Sequence, residues 1–187
     1  MDRYCRSRPQ EVSGLHLFAL VCEKVGHLHL GAELVQRAIG ILETAYEETE
    51  DPEVERKYTI ANATLGRLKL SQGAYSESIG FFESALGLLA EKEEGEDGDI
   101  RALKVQSHLG LGLAHFHLGN LEDALGMLEN GLTYAGDDFT LRGQIVIVLS
   151  QTLWAIGSDE AKETAKTRLL EWYSFSSYWL VEIAAEL

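Results

Sequence analysis

The chain has 187 residues, 45% of them hydrophobic and 25% charged, enough apolar surface for one ordinary domain or a short stack of repeats. This composition excludes a disordered tail, and no run approaches the ~18 apolar residues needed to cross a bilayer, so a membrane span is excluded too. Thirty acidic residues against 16 basic ones give a formal charge of −14, which repels a nucleic-acid backbone, and no basic patch offsets it.

At the N-terminus, Arg3, Arg6 and Arg8 precede a short apolar stretch from Leu15 to Cys22. The stretch contains His16, runs into Glu23 and Lys24 and lacks a small-residue cleavage site, so it reads as a cytosolic helix rather than a signal peptide. The two cysteines, Cys5 and Cys22, cannot build a disulfide framework and fit a reducing compartment.

Glycine then punctuates the chain. Gly26, Gly73, Gly119 and Gly157 each separate two helix-like runs, at spacings of 47, 46 and 38 residues, the period of helical repeat arrays. The first run of each unit places its core residues at i, i+3, i+4 and i+7: Leu15, Phe18, Ala19 and Cys22, then Asn62, Leu65, Gly66 and Lys69, then His108, Leu111, Gly112 and His115, then Val146, Leu149, Ser150 and Leu153. In every unit a large residue stands directly before a small one (Phe18-Ala19, Leu65-Gly66, Leu111-Gly112, Leu149-Ser150). The small residue admits a neighbouring helix closely, which explains glycine inside a helix against a cost of ~1 kcal/mol relative to Ala. The second runs match each other as well: Tyr75, Ser78, Ile79, Phe82, Ala85 and Leu86 after Gly73, and Leu121, Ala124, Leu125, Leu128, Gly131 and Leu132 after Gly119. Such a pair buries one face internally and another against the next pair, so it is stable only in a stack.

These residues resemble the tetratricopeptide repeat (TPR), over about residues 12–171. The second unit (Leu65, Gly66, Gly73, Tyr75, Ser78, Phe82, Ala85) and the third (Leu111, Gly112, Gly119, Leu121, Ala124, Leu128) match the motif best. The first (Phe18, Ala19, Gly26, Leu28, Gly31, Ala38) is weaker, and the fourth fits in its second helix only as Ala161, Ala165 and Leu169 in a shifted register. The motif's closing proline is absent throughout, and acidic inter-repeat segments lengthen the period. The resemblance implies an all-α, right-handed superhelical α-solenoid of four helix pairs plus a C-terminal helix. The expected boundaries are an N-terminal extension over 1–11, repeats over about 12–50, 52–97, 99–136 and 138–173, and an aromatic-rich helix over 174–187. Within the family, the stretches from Glu53 to Leu89, from Gly110 to Leu125 and from Gly143 to Gly157 resemble the C-terminal repeats of the scaffold subunit of fungal superkiller complexes. A complete scaffold of that kind is several times longer, so this chain is expected to be a fragment or a shortened relative.

The tail departs from the repeat. Trp172, Tyr173, Phe175, Tyr178 and Trp179 place five of the 16 aromatic residues within eight positions. A capping helix from about Ser176 to Leu187 over the last repeat is one reading, and an exposed docking helix is another.

Catalytic signatures are missing: there is no G-x-x-x-x-G-K-[ST], H-E-x-x-H, G-x-S-x-G or C-x-x-C string, so no enzyme and no cofactor is expected. His115 and His117 lie two apart on one helix, pointing about 200° away from each other, and cannot chelate one metal together. His108 reads as a core histidine, and no metal site is expected. Two acidic runs, Glu43 to Glu55 and Glu91 to Asp99, read as helix-end chemistry along one edge of the stack rather than a calcium loop. Asp51 is placed to cap a helix with Pro52 at its first position and Glu53 and Glu55 in its first turn.

In the TPR fold the first helices line the concave face. The resemblance therefore places His16, Leu20, Glu23 and Lys24 there from the first unit, and Ile60, Ala63, Thr64, Arg67 and Leu70 from the second. The third gives Gln106, Leu109, Leu113, Phe116 and His117, and the fourth Gln144, Ile147, Val148, Gln151 and Trp154. The carboxylate clamp of chaperone-binding members is missing, since His16, Leu20, Thr64, Gln106 and Gly110 occupy its positions. Leu109, Leu113, Phe116, Ile147, Val148 and Trp154 instead form an apolar strip that a partner or the chain's own tail covers. The candidate partner-binding residues are Arg67, Leu109, Leu113, Phe116, His117, Ile147, Gln151 and Trp154. By resemblance, the chain is a non-catalytic protein-interaction scaffold of the cytoplasm, with a helicase subunit and a WD-repeat subunit as partners in exosome-mediated 3′-to-5′ mRNA decay. A generic TPR adaptor that takes a peptide or helix in its apolar groove is the alternative. Neither direct nucleic-acid binding nor a membrane is expected.

Overall fold

The computed structural model describes residues 3–49, 51–90, 98–136 and 138–186, with side chains between positions 11 and 174. The described residues form eight α-helices: α1 (Arg3–Lys24), α2 (Leu28–Thr49), α3 (Pro52–Ser71), α4 (Tyr75–Leu89), α5 (Gly98–Leu118), α6 (Leu121–Ala135), α7 (Phe139–Ile156) and α8 (Asp159–Glu186). They divide into two compact units, Met1–Gly95 and Glu96–Leu187. In the first, α1 packs on α2, α2 on α3 and α3 on α4; in the second, α5 packs on α6, α6 on α7, α7 on α8, and α5 also meets α7.

Each helix pair turns at its glycine. Gly73 and Gly119 have φ of 77° and 81°, a left-handed conformation that a Cβ strains. The start of α3 forms as its sequence dictates. The Asp51 carboxylate accepts the Glu53 N–H at 2.9 Å, Pro52 opens the helix, and Glu53 and Glu55 sit in its first turn. Asp138 does the same for α7, accepting the Leu141 N–H at 2.9 Å.

The large-small pairs set the helix spacing. A Cβ added at Gly66 would stand 3.0 Å from the Phe82 ring, and one at Gly112 would stand 2.5 Å from Leu128 Cγ. Gly31 lies against the Ala19 carbonyl and the side chains of Cys22 and Leu68. The core of the first unit gathers Ala19, Val35, Ala38, Leu42, Leu65 and Leu68; that of the second gathers Val105, Leu128, Ile145, Leu149 and Leu153. Each fully buried Leu or Ile contributes about 1.5–3 kcal/mol relative to exposure. Three buried hydroxyls bond to their own helix: Thr59 donates to the Glu55 carbonyl at 2.8 Å, Ser78 to the Tyr75 carbonyl at 2.7 Å and Thr152 to the Val148 carbonyl at 2.9 Å.

Four expectations need correction. Phe18 is 66% exposed rather than part of the first core, because no helix lies on that side of α1 among the described residues. The segment expected as an extension over 1–11 is helical from Arg3 and continuous with α1. No turn separates the fourth repeat from a tail helix: α8 runs unbroken from Asp159 to Glu186, since neither Gly nor Pro interrupts it. Finally, α7 is long and apolar enough to span a membrane by length and composition, with a mean hydropathy of 1.3 over 18 residues. Its buried residues, Gly143, Ile145, Val146, Leu149, Ser150, Thr152 and Leu153, make it the core helix of its unit. Most of the second acidic run (91–97) and the side chains of the tail beyond Ser174 lie outside the described residues, as do those of Cys5, Arg3, Arg6 and Arg8.

Candidate interaction surface

Counting back from the turn glycine aligns the four first helices. Ten residues before it stand His16, Ala63, Leu109 and Ile147; six before, Leu20, Arg67, Leu113 and Gln151; three before, Glu23, Leu70, Phe116 and Trp154. Positions ten, six and three back recur at helical spacing and form one stripe along each helix.

In the first unit this stripe is mixed: His16, Glu23 and Arg67 share it with Leu20, Ala63 and Leu70. Arg67 of α3 donates to a Glu23 carboxylate oxygen of α1 at 2.8 Å, so the one basic residue among the candidate contacts is already ion-paired. His16 is half-buried beside them, and burial, with the Arg67 charge adding, lowers its pKa below the usual histidine range. Ala63 and Thr64 are buried and belong to the packing rather than to a surface.

In the second unit the stripe is apolar and divided between core and solvent. Leu109 and Val148 pack against the core of the unit, while Leu113 and Phe116 are half-buried. Ile147 is 44% exposed and Trp154 56% exposed. Gln151 lies between them on the same face, and His117 is exposed beside Phe116, with the two rings edge-on at 5.6 Å. The Lys162 ammonium of α8 stands 6.0 Å from the centre of the Trp154 ring, a cation–π contact that places this ring along the α7–α8 edge.

His108 sits as a packing residue. Its ring stacks on Tyr134 at 5.4 Å, and the Lys104 ammonium lies 5.2 Å from the same tyrosine ring. Burial, then the Lys104 charge, lowers the His108 pKa. Among the described residues no group of three or more His, Cys, Asp or Glu side chains could hold a metal ion. Trp172, which the sequence grouped with the aromatics of the tail, is half-buried: its ring fills the space left by Gly143, where a Cβ would stand 2.7 Å away, and stacks on Phe139 at 5.4 Å. The signal for it was present. Trp172 lies fifteen residues after Gly157, as Tyr134 lies fifteen after Gly119.

The chain is 30% identical over 171 residues to Superkiller protein 3 of Schizosaccharomyces pombe, covering 91% of this chain and 12% of that protein. It is 25% identical over 176 residues to Superkiller protein 3 of Saccharomyces cerevisiae, covering 94% of this chain and again 12% of the relative. The chain thus spans about an eighth of the length of these curated relatives. Among solved structures, it is similar to the crystal structure of nearly identical TPR-like repeats of Podospora anserina, with a TM-score of 0.55 and 16% identity over 91% of this chain and 88% of that one. No protein-family model matches the chain. The chain is a TPR-like α-solenoid, similar to part of Superkiller protein 3.

Proposed function

We propose that the chain is a non-catalytic protein-interaction scaffold of the superkiller type, acting in the cytoplasm in exosome-assisted 3′-to-5′ mRNA decay. The partners in this reading are a helicase subunit and a WD-repeat subunit. The observation that carries it is the similarity to Superkiller protein 3 in two yeasts over more than nine-tenths of the chain. The physical setting supports it. Five of the eight candidate contact residues (Leu109, Leu113, Phe116, Ile147 and Trp154) are bulky and apolar, and the formal charge of −14 disfavours direct contact with RNA. In the second unit, Ile147 and Trp154 present apolar area, with Leu113, Phe116, His117 and Gln151 beside them, and aromatic anchors of this kind dominate interface energies.

Affinity purification from native lysate tests the reading: recovery of helicase and WD-repeat subunits supports it, and recovery of unrelated proteins alone overturns it. The double variant Phe116→Ala with Trp154→Ala is expected to abolish capture. Trp154 contributes little to the core, so most of any stability loss comes from half-buried Phe116. Capture that survives the double variant places binding elsewhere on the chain.

A further inference from the structure

Two positions flank every turn glycine at the same distance. Four residues before it stand Cys22, Lys69, His115 and Leu153; four residues after it stand Leu30, Glu77, Asp123 and Ala161. Both positions are apolar in the first and fourth helix pairs. In the second pair they are ionic, with Lys69 Nζ donating to a Glu77 carboxylate oxygen at 2.6 Å. In the third they are a histidine and a carboxylate, and His115 Nδ1 stands 3.9 Å from Asp123 Oδ2. That separation exceeds a hydrogen bond, and Nδ1 is buried with no hydrogen-bond partner among the described residues. Charge is favoured at both places. Lys69 and His115 lie in the last turns of α3 and α5, where a cation meets the negative helix end. Glu77 and Asp123 lie in the first turns of α4 and α6, where an anion meets the positive end.

We infer that His115 and Asp123 form a proton-operated latch across the α5–α6 turn, the titratable counterpart of the permanent Lys69–Glu77 bridge. A proton taken up from solvent makes both ring nitrogens donors and gives the ring its charge. The Asp123 carboxylate, on an exposed side chain, then closes on Nδ1 as a charge-assisted acceptor. Of the helices packed on α5, α6 sets Asp123 against the ring; Glu122 beside it is exposed, and Glu129 and Tyr134 lie further along. The one charged residue of α7, Arg142, donates to the Gly136 carbonyl at 3.1 Å, at the other end of α6. On α5 itself His108 stands two turns back, stacked on Tyr134, with Asp99, Arg101 and Lys104 further back still, and His117 faces away. The neutral ring leaves Nδ1 unpaired and the charged ring gains a partner. The latch therefore adds stability below the ordinary histidine range near ~6.5, and that contribution is lost as pH rises through it. It closes next to Phe116, so acidification tightens the turn beside the apolar stripe of the second unit.

Double-variant cycles of melting temperature on the full chain test this, with His115→Gln and Asp123→Asn each alone and together. They are run at about pH 5 and about pH 8, on either side of the ordinary histidine value. The cycle cancels what each change does by itself, including the helix-end charge lost with Asp123 and the opposite pH response of His16 and His108. The pair is expected to couple by about 1–3 °C at the lower pH and not at the higher. His115→Lys, which supplies the ammonium that Lys69 holds in the second pair, is expected to couple to Asp123 at both. Circular dichroism checks helix content. Should His115→Gln lose helix, Asp123→Asn alone, at an exposed position, is read for a loss that grows toward the lower pH. Coupling of equal size at both pH values overturns the proposal, as does its absence from both. A His115→Lys variant that shows no coupling to Asp123 overturns it as well, since the two positions then cannot close a bridge.

Discussion

The units of α1–α4 and α5–α8 place different chemistry on the same stripe of their first helices. In the first, Glu23 and Arg67 close an ion pair beside half-buried His16, with Leu20, Ala63 and Leu70 at the other positions; in the second, Gln151 is the one polar residue among Leu109, Leu113, Phe116, Ile147 and Trp154. The residues between these positions are alike. Leu65 and Leu149 are interior, Gly66 receives the Phe82 ring, and Gly112 receives Leu128. The repeat thus constrains the side of each first helix that meets other helices and leaves the adjoining stripe free to differ. Fold and recognition are written on separate faces of one helix.

The shared packing offers the largest effects. Gly112→Leu, with its Cβ 2.5 Å from Leu128 Cγ, is expected to lower stability by about 1–3 kcal/mol or more, and Gly66→Leu against the Phe82 ring by a similar amount. Thermal melts check both, and an unchanged melt would remove the close-contact role of these glycines. Next come two carboxylate caps, one in each unit. Asp51→Ala and Asp138→Ala each remove a carboxylate that accepts a first-turn N–H at 2.9 Å, at an expected ~1 kcal/mol. Equal losses from urea melts would show that α3 and α7 start with the same local energetics.

Smaller effects separate the units. Arg67→Met is expected to cost about 0.2–1 kcal/mol at low salt and less at high salt, because the Glu23–Arg67 pair is partly exposed. Trp154→Ala, on the matching stripe of the second unit, is expected to show almost no salt dependence. The shallowest effect is on acidification. His16 and His108 both have folded pKa values below the ordinary ~6.5, so the folded state favours the neutral ring. Their contribution is present above the unfolded pKa and is lost as pH falls below it toward the lowered folded values. Melting temperature should therefore decline from about pH 6.5 downward, and His108→Phe should flatten that decline where the ring stacks on Tyr134. A decline that begins only in the carboxylate range would exclude the histidines as its cause.

Much of the fold was legible in the sequence because it rests on periodic features. The turn glycines, the Leu-Gly pairs and the Asp51-Pro52 start each have a local cause, and the structure bears each of them out. Phe18 was misread because its pattern matches that of Leu65, and periodicity reports which side of a helix is apolar without saying whether a neighbour is there to cover it. Trp172 was grouped by composition with the aromatics of the tail, although it lies within the expected fourth repeat and its distance from Gly157 ties it to the packing of α7. In the stripe, the sequence picked out Trp154 and Ile147, both of which face solvent. It could not show that Leu109 and Val148 would be drawn against the core, or that Arg67 would be engaged by Glu23, since both depend on distances between helices.

The turns at Gly73 and Gly119 carry a consequence of chirality. Both glycines sit at φ near +80° on exposed turns, a backbone that a mirror-image amino acid adopts at rest. An L-alanine at either position adds strain, whereas a D-alanine installed by chemical ligation would fit the native backbone and narrow the unfolded ensemble. By the entropy argument that governs glycine replacements at compatible sites, each such exchange should raise stability by about 0.4–1 kcal/mol. Handedness at a single carbon would then separate a destabilised protein from a stabilised one of the same composition.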